Sequence, residues 1–138
     1  MTTVRELIDR QKRVVSVEES ATVREAAKAM AEANVGCAAI MSEDRLVGLF
    51  TERDILKRVL LADLHTDEVA VSEVMTREIV TCSQDTEVRT ARALLRSHHI
   101  RHLPVEDSNG KLVGVLSIRD LLREEVAEVR RYLHLEES

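Results

Sequence analysis

Apolar positions along the chain change period several times, and each change marks an element. Residues 14–17 are a short β-branched run that predicts a strand. After it, Val23, Ala26, Ala27 and Met30 recur at the intervals of one helical face, with Thr22 and Glu25 at capping-box spacing at its start. Two strands are predicted next, residues 37–41 and 45–50, joined by the polar turn Ser42-Glu43-Asp44, and then a helix from Thr51. The same order returns further on: a run at 79–82, a helical face of Val88, Ala91 and Leu95, strands at 102–106 and 112–116, and a helix from Ser117.

The recurrence is a tandem duplication. An offset of 65 aligns residues 14–30 with 79–95, and one extra residue in the turn 107–110 brings LVGLFTERDIL (46–56) onto LVGVLSIRDLL (112–122). One β-α-β-β-α unit leaves an apolar sheet face uncovered, so the two copies are expected to close a core by packing on each other. The predicted fold is α/β (α+β), two such repeats paired about a pseudo-twofold axis. Its parts are an N-terminal helix at 1–13 opened by Thr3 and Glu6, a first repeat at 14–60, a linker at 61–78 carrying Val74 and Met75, a second repeat at 79–126, and a helical extension at 127–138. In the last helix Leu122, Val126, Val129 and Leu133 stand at near-heptad spacing. This stripe fits either a seam with another subunit or packing on Val4, Leu7 and Ile8 of the first helix.

Composition narrows the function. A net charge of −5, one Tyr, one Phe and no Trp argue against nucleic acid, which needs basic surface and aromatic stacking. No apolar run reaches the roughly 20 residues that cross a bilayer, and the start MTTVRELIDRQ has no apolar stretch, so no membrane contact and a cytoplasmic protein are expected. Cys37 and Cys82 lack CxxC spacing and read as small apolar fillers. His98, His99 and His102 are a dense polar cluster, but the predicted helix ends near His98 and no acid is spaced to complete a metal site. No nucleophile and base stand at catalytic spacing, so neither an enzyme nor a catalytic cofactor is expected.

Both copies of the duplicated stretch fit G-x-x-[ST]-x-x-D, as Gly48, Thr51, Asp54 and Gly114, Ser117, Asp120. Two uses of these atoms are open. A hydroxyl residue followed three positions later by an acid can cap a helix reciprocally. Alternatively, the unpaired N–H groups and hydroxyl of a helix start attract phosphate, while an acceptor-only carboxylate one turn deeper receives both hydroxyls of a ribose. Arg53 and Arg119, equally placed inside the two motifs, suit a polyphosphate, a neighbouring subunit or a solvated helix face.

The two motifs, with VSEVMTREIVTC (71–82) and HIRHLPV (99–105), make the chain from about Val14 to about Val126 resemble the cystathionine β-synthase (CBS) domain family, whose tandem pairs are called Bateman modules. The resemblance implies two clefts lined by both copies, and an adenosine nucleotide (AMP, ADP or ATP) as ligand. Asp54 and Asp120 would hold ribose hydroxyls, and Thr51 and Ser117 would face the phosphates. It further implies Leu49, Ile100 and Arg101 around the first cleft and Val115, Val35 and Gly36 around the second, with Arg101 and His102 neutralising phosphate. The first copy has Gly36 and Cys37 where the second has basic residues, so unequal clefts are expected, the tighter at Thr51 and Asp54. The resemblance also implies a homodimer that regulates another protein. S-adenosylmethionine sensing and a ligand-free dimerising scaffold are the alternatives.

Overall fold

The computed structural model describes residues 2–11 and 14–133; Met1, Lys12, Arg13 and residues 134–138, parts of the expected terminal helices, lie outside the described residues. The chain runs α1 (Val4–Ile8), β1 (Ser16–Glu18), α2 (Val23–Ala33), β2 (Cys37–Ser42) and β3 (Arg45–Thr51). Next comes α3, one α-helical turn Glu52–Asp54 continued as a π-helical stretch Ile55–Leu60. A 3₁₀ turn Val71–Glu73 leads to β4 (Cys82–Ser83), α4 (Val88–Ser97), β5 (His102–Glu106), β6 (Leu112–Ser117) and α5 (Ile118–Leu133).

Two three-stranded sheets form, ordered β1-β2-β3 and β4-β5-β6, each with one parallel and one antiparallel pairing. The register slips at Ile40/Met41 in the first sheet and at Val105/Glu106 in the second, so the copies share even their irregularity. The leading strands start later than the β-branched runs predict. Val15 nevertheless already accepts from Ala39 N at 2.9 Å, and it is buried.

Local signals explain most helix ends. Thr22 and Glu25 make the predicted reciprocal capping box. Helix α4 ends at Ser97 with His98 as its cap, and the following His99 takes a left-handed φ of 53°, as Asn34 does after α2 with 57°. Thr3 departs from expectation: its side chain makes no cap bond, and its backbone bridges Glu87 instead.

Each copy has its own core, and the segment leading into each copy crosses to the other. Val71, Val74 and Met75 precede the second copy but pack with Val23, Met30, Ile40 and Phe50 of the first. Conversely, Val4, Leu7 and Ile8 of α1 pack with Val88, Leu95, Leu116 and Leu121 of the second. Full burial of such a side chain stabilises by roughly 1.5–3 kcal/mol, so this exchange fastens the copies together. A third cluster joins the sheets directly through Cys37, Ala39 and Leu49 with Ile79, Leu112 and Val115.

The exchange decides between the two readings of the terminal stripe. Leu121 faces the core while Leu122, Val126, Val129 and Leu133 are each more than half exposed, so the stripe does not pack on α1. In the first copy Leu56 and Leu60, which the repeat aligns with Leu122 and Val126, are also exposed. Among the described residues, no helix is long and apolar enough to cross a membrane.

Candidate functional site

Strand β3 delivers Thr51 to the start of α3, and there the capping use of the motif is realised in full. Thr51 Oγ1 accepts from Asp54 N at 3.2 Å, and Asp54 Oδ2 accepts from Thr51 N at 3.0 Å and from the Thr51 hydroxyl at 3.2 Å. The hydroxyl of Thr76 donates to both oxygens of Asp54 at 3.1 and 3.2 Å. Arg58 Nε stands 3.7 Å from Oδ1, held there as its Nη1 donates to Met75 O at 2.9 Å. With 4% exposure, Asp54 is buried and occupied.

The second copy is built alike but less completely. Ser117 Oγ accepts from Asp120 N at 3.1 Å, and Asp120 Oδ2 accepts from Ser117 N at 2.8 Å. The place of Thr76 is taken by Gln11, whose Nε2 donates to Val115 O at 2.6 Å and reaches Asp120 Oδ2 only at 3.4 Å. Among the described residues Oδ1 of Asp120 accepts no hydrogen bond, and the side chain is partly exposed. The first N–H of α5, Ile118 N, donates to Arg101 O at 2.9 Å, as Glu52 N does to Gly36 O at 3.1 Å.

These two bonds tie the residue before each hairpin to the helix that follows it. Arg101 lies beside Ser117 and Gly36 beside Thr51, each within its own copy, because an antiparallel hairpin brings the residue before its first strand next to the residue after its second. His102 pairs in register with Ser117 and is mostly buried. Burial pushes its imidazole below the ordinary value, against the pull of Glu52 and Asp120 and with that of Arg101. The acids of both helix starts, Glu52 of α3 and Asp120 of α5, thus act on His102.

The helix starts differ in charge. Glu52 opens α3, where Ile118 opens α5, and its carboxylate lies so close over Gly36 that a Cβ there would meet it. A carboxylate at a helix N-terminus takes up the favourable field that a phosphate would use. Thus the first helix start is more fully occupied by its own chain than the second.

The remaining predicted residues scatter. Leu49 is buried between the sheets and exchanges two backbone bonds with Thr76, while Val115 is partly buried in the same cluster. Ile100 packs on the core of the second copy, and Val35 is exposed beyond the end of α2. Gln11, Thr76 and Glu52 complete the site and were not anticipated. Gln11 and Thr76 stand 65 positions apart, the offset of the repeat, and that matched polar pair was the signal available. A groove of about 300 Å³ lies at the far end of β6, lined from both copies by Val14, Met41, Asp44 and Lys111. Burial raises the thiol of Cys37 to about 12, with Asp54 adding to it, and that of Cys82 to about 11, as fits space-filling roles. No group of three or more His, Cys, Asp or Glu among the described residues could hold a metal ion.

Comparison with known proteins agrees with this architecture. The family model described as CBS domain matches residues 4–61 and 71–127. An uncharacterized 17.7 kDa protein of Acidianus ambivalens is 41% identical over 112 residues, covering 80% of this chain, which spans 66% of that relative's length. The crystal structure of a CBS-domain containing protein from Agrobacterium tumefaciens superposes with a TM-score of 0.81 at 30% identity, covering 90% of this chain and 99% of that one. A CBS domain protein from Pyrobaculum aerophilum, complexed with AMP, superposes with a TM-score of 0.79 at 36% identity, covering 86% and 89%. Duplicated sequence, exchanged lead-in segments, paired sheets and two family matches converge: the chain belongs to the CBS domain family, as a tandem pair.

Proposed function

We propose that this pair is a cytoplasmic regulatory module that binds an adenosine nucleotide (AMP, ADP or ATP) between its repeats, with Asp120 and Ser117 as the seat of ribose and phosphate, and passes occupancy to a partner protein. The observation that carries the reading is the contrast between the two motif carboxylates. Asp54 has its acceptor positions taken by Thr51, Thr76 and Arg58, whereas Asp120 keeps Oδ1 available at the start of a 16-residue helix. Arg101 and His102 border that seat, where they favour phosphate. From Ser117, β6 runs back past Val115 in the direction of Leu112 and the groove, and a nucleotide lying along it carries its base that way. The AMP complex of the Pyrobaculum relative supports the same ligand class.

The exposed stripes on α3 and α5 form the face on which a second copy docks to give a homodimer. Nucleotide then acts by linkage, shifting the dimer or partner equilibrium only as far as its affinity differs between the states. Calorimetric titration of the wild type and Asp120→Ala with AMP, ADP, ATP and S-adenosylmethionine tests the reading. Saturable adenylate binding that Asp120→Ala weakens at least tenfold is expected from loss of charge-assisted hydrogen bonds. S-adenosylmethionine binding alone would reassign the ligand, and no binding of any would leave an assembly module.

A further inference from the structure

We infer that Gln11 is a built-in competitor for the nucleotide seat, an autoinhibitory contact through which occupancy is read by α1; this rests on the nucleotide reading above. The side-chain amide of Gln11 offers two N–H donors on one nitrogen, one spent on Val115 O at 2.6 Å and one directed at Asp120 Oδ2 at 3.4 Å. A nucleoside on this seat presents the same donors, an exocyclic amine for a strand carbonyl and ribose hydroxyls for the carboxylate. The amide therefore occupies Val115 O and one of the two Asp120 oxygens, and the ligand must displace it to use both. Its bond to Asp120 is long, whereas the corresponding bonds from Thr76 to Asp54 are 3.1 and 3.2 Å, so the second copy has the releasable version of a contact that is fixed in the first.

Gln11 is also mechanically connected. The preceding Arg10 donates to Glu124 Oε2 at 3.2 Å, one turn along α5 from Asp120, and Glu124 is buried at 2% exposure with Arg131 on its other oxygen at 3.1 Å. Two neighbouring residues thus clasp two acids on one helix face. Behind them, Ile8 and Gln11 close over Gly114, where a Cβ would meet both. Helix α1 is held to the second copy by Val4 N to Thr86 O and Arg5 N to Gln84 O, both 2.8 Å. A ligand that takes Asp120 and Val115 O from Gln11 loosens one end of this clasp, and α1 is the element that registers it.

The test pairs AMP titration with amide hydrogen exchange across residues 2–11, on the wild type, Gln11→Ala and the near-isosteric Gln11→Met, which keeps the packing and removes the donors. Both variants are expected to bind AMP about three- to tenfold more tightly, the net worth of about one hydrogen bond. Saturating AMP is expected to speed exchange in α1 of the wild type, and the variants to show the faster exchange without ligand. Unchanged or weaker affinity in both variants, or α1 exchange indifferent to AMP in a wild type that binds it, overturns the inference. If neither wild type nor variant binds AMP at millimolar concentration, the nucleotide reading itself fails and takes the competitor role with it.

Discussion

The hydroxyl of Thr76 donates to both carboxylate oxygens of Asp54, tying the segment that leads into the second copy to the helix start of the first. One residue is thus a cap, an interdomain contact and a buried charge together. Replacing it with Ala keeps the bond from the residue 54 backbone N–H to Thr51 but removes the return half of the cap and takes the carboxylate away from the Thr76 hydroxyl and Arg58. Asp54→Ala is expected to cost about 2–3 kcal/mol, from half of a cap plus the hydrogen bonds that Thr51 and Thr76 make to a charged carboxylate. Asp120→Ala, partly exposed and met by a long contact, is expected to cost about 1 kcal/mol or less. Urea denaturation measures both. Nucleotide titration of the same two variants should rank them the other way, with the large loss of affinity at Asp120. Equal stability losses would mean that the two motifs are equivalent, contrary to their geometry.

His102 makes the module sensitive to pH in two opposite ways. Burial lowers its pKa in the fold, so below the unfolded value of about 6.5 the unfolded chain takes up a proton that the folded chain resists. Stability contributed by this group is complete above that pH and falls as the medium is acidified through it. His102→Gln should flatten the thermal-stability profile between pH 7.5 and 5.5 relative to wild type. A phosphate placed beside the imidazole raises its pKa again, so nucleotide binding should take up protons and tighten on acidification across the same range. Calorimetry in two buffers of different ionisation enthalpy reads that uptake, and an uptake retained in His102→Gln would assign it elsewhere.

Much of this architecture is legible in the sequence because each local signal agrees with the duplication. The Thr22–Glu25 box, the turn 42–44 and the two hairpins depend on residues near each other in the chain, and all appear where periodicity puts them. Periodicity carries no information about which copy a lead-in segment joins. Hence the exchange of Val4, Leu7 and Ile8 for Val71, Val74 and Met75 was invisible, and with it the fate of the α5 stripe. The motif residues Thr51, Asp54, Ser117 and Asp120 stand at two matching helix starts, but the unequal number of partners at the two acids has no trace in the motif itself. The deciding partners, Thr76 and Gln11, lie 22 and 109 positions away from the acids they meet, and a pattern seven residues long does not reach them.

Cys37 and Cys82 are both buried, and with thiols raised to about 12 and about 11 they are protonated at neutral pH. The thiolate is the reactive species, so both should react slowly with a disulfide reagent in the native protein. Reaction should become fast on adding denaturant. A rate in native buffer equal to that of free cysteine would show that one of these segments opens readily.

The face carrying Leu122 and Val126 leads to the last prediction. Both side chains are about half exposed, Leu56 and Leu60 repeat them on α3, and neighbouring Arg119, Arg123 and Arg130 frame the α5 stripe. Because these side chains lie outside the core of the single chain, changing one hardly affects its folding, within about 0.5 kcal/mol for a surface site. Burial in a dimer is another matter, since enclosing a carboxylate among leucines costs several kcal/mol of desolvation, which a flanking arginine offsets only with excellent geometry. Val126→Glu should therefore leave the monomer folded by circular dichroism while shifting the mass measured by light scattering from two copies toward one. Leu56→Glu should do the same if both stripes share one interface. A wild type that is monomeric at every concentration, with and without AMP, would reassign this face to the regulated partner.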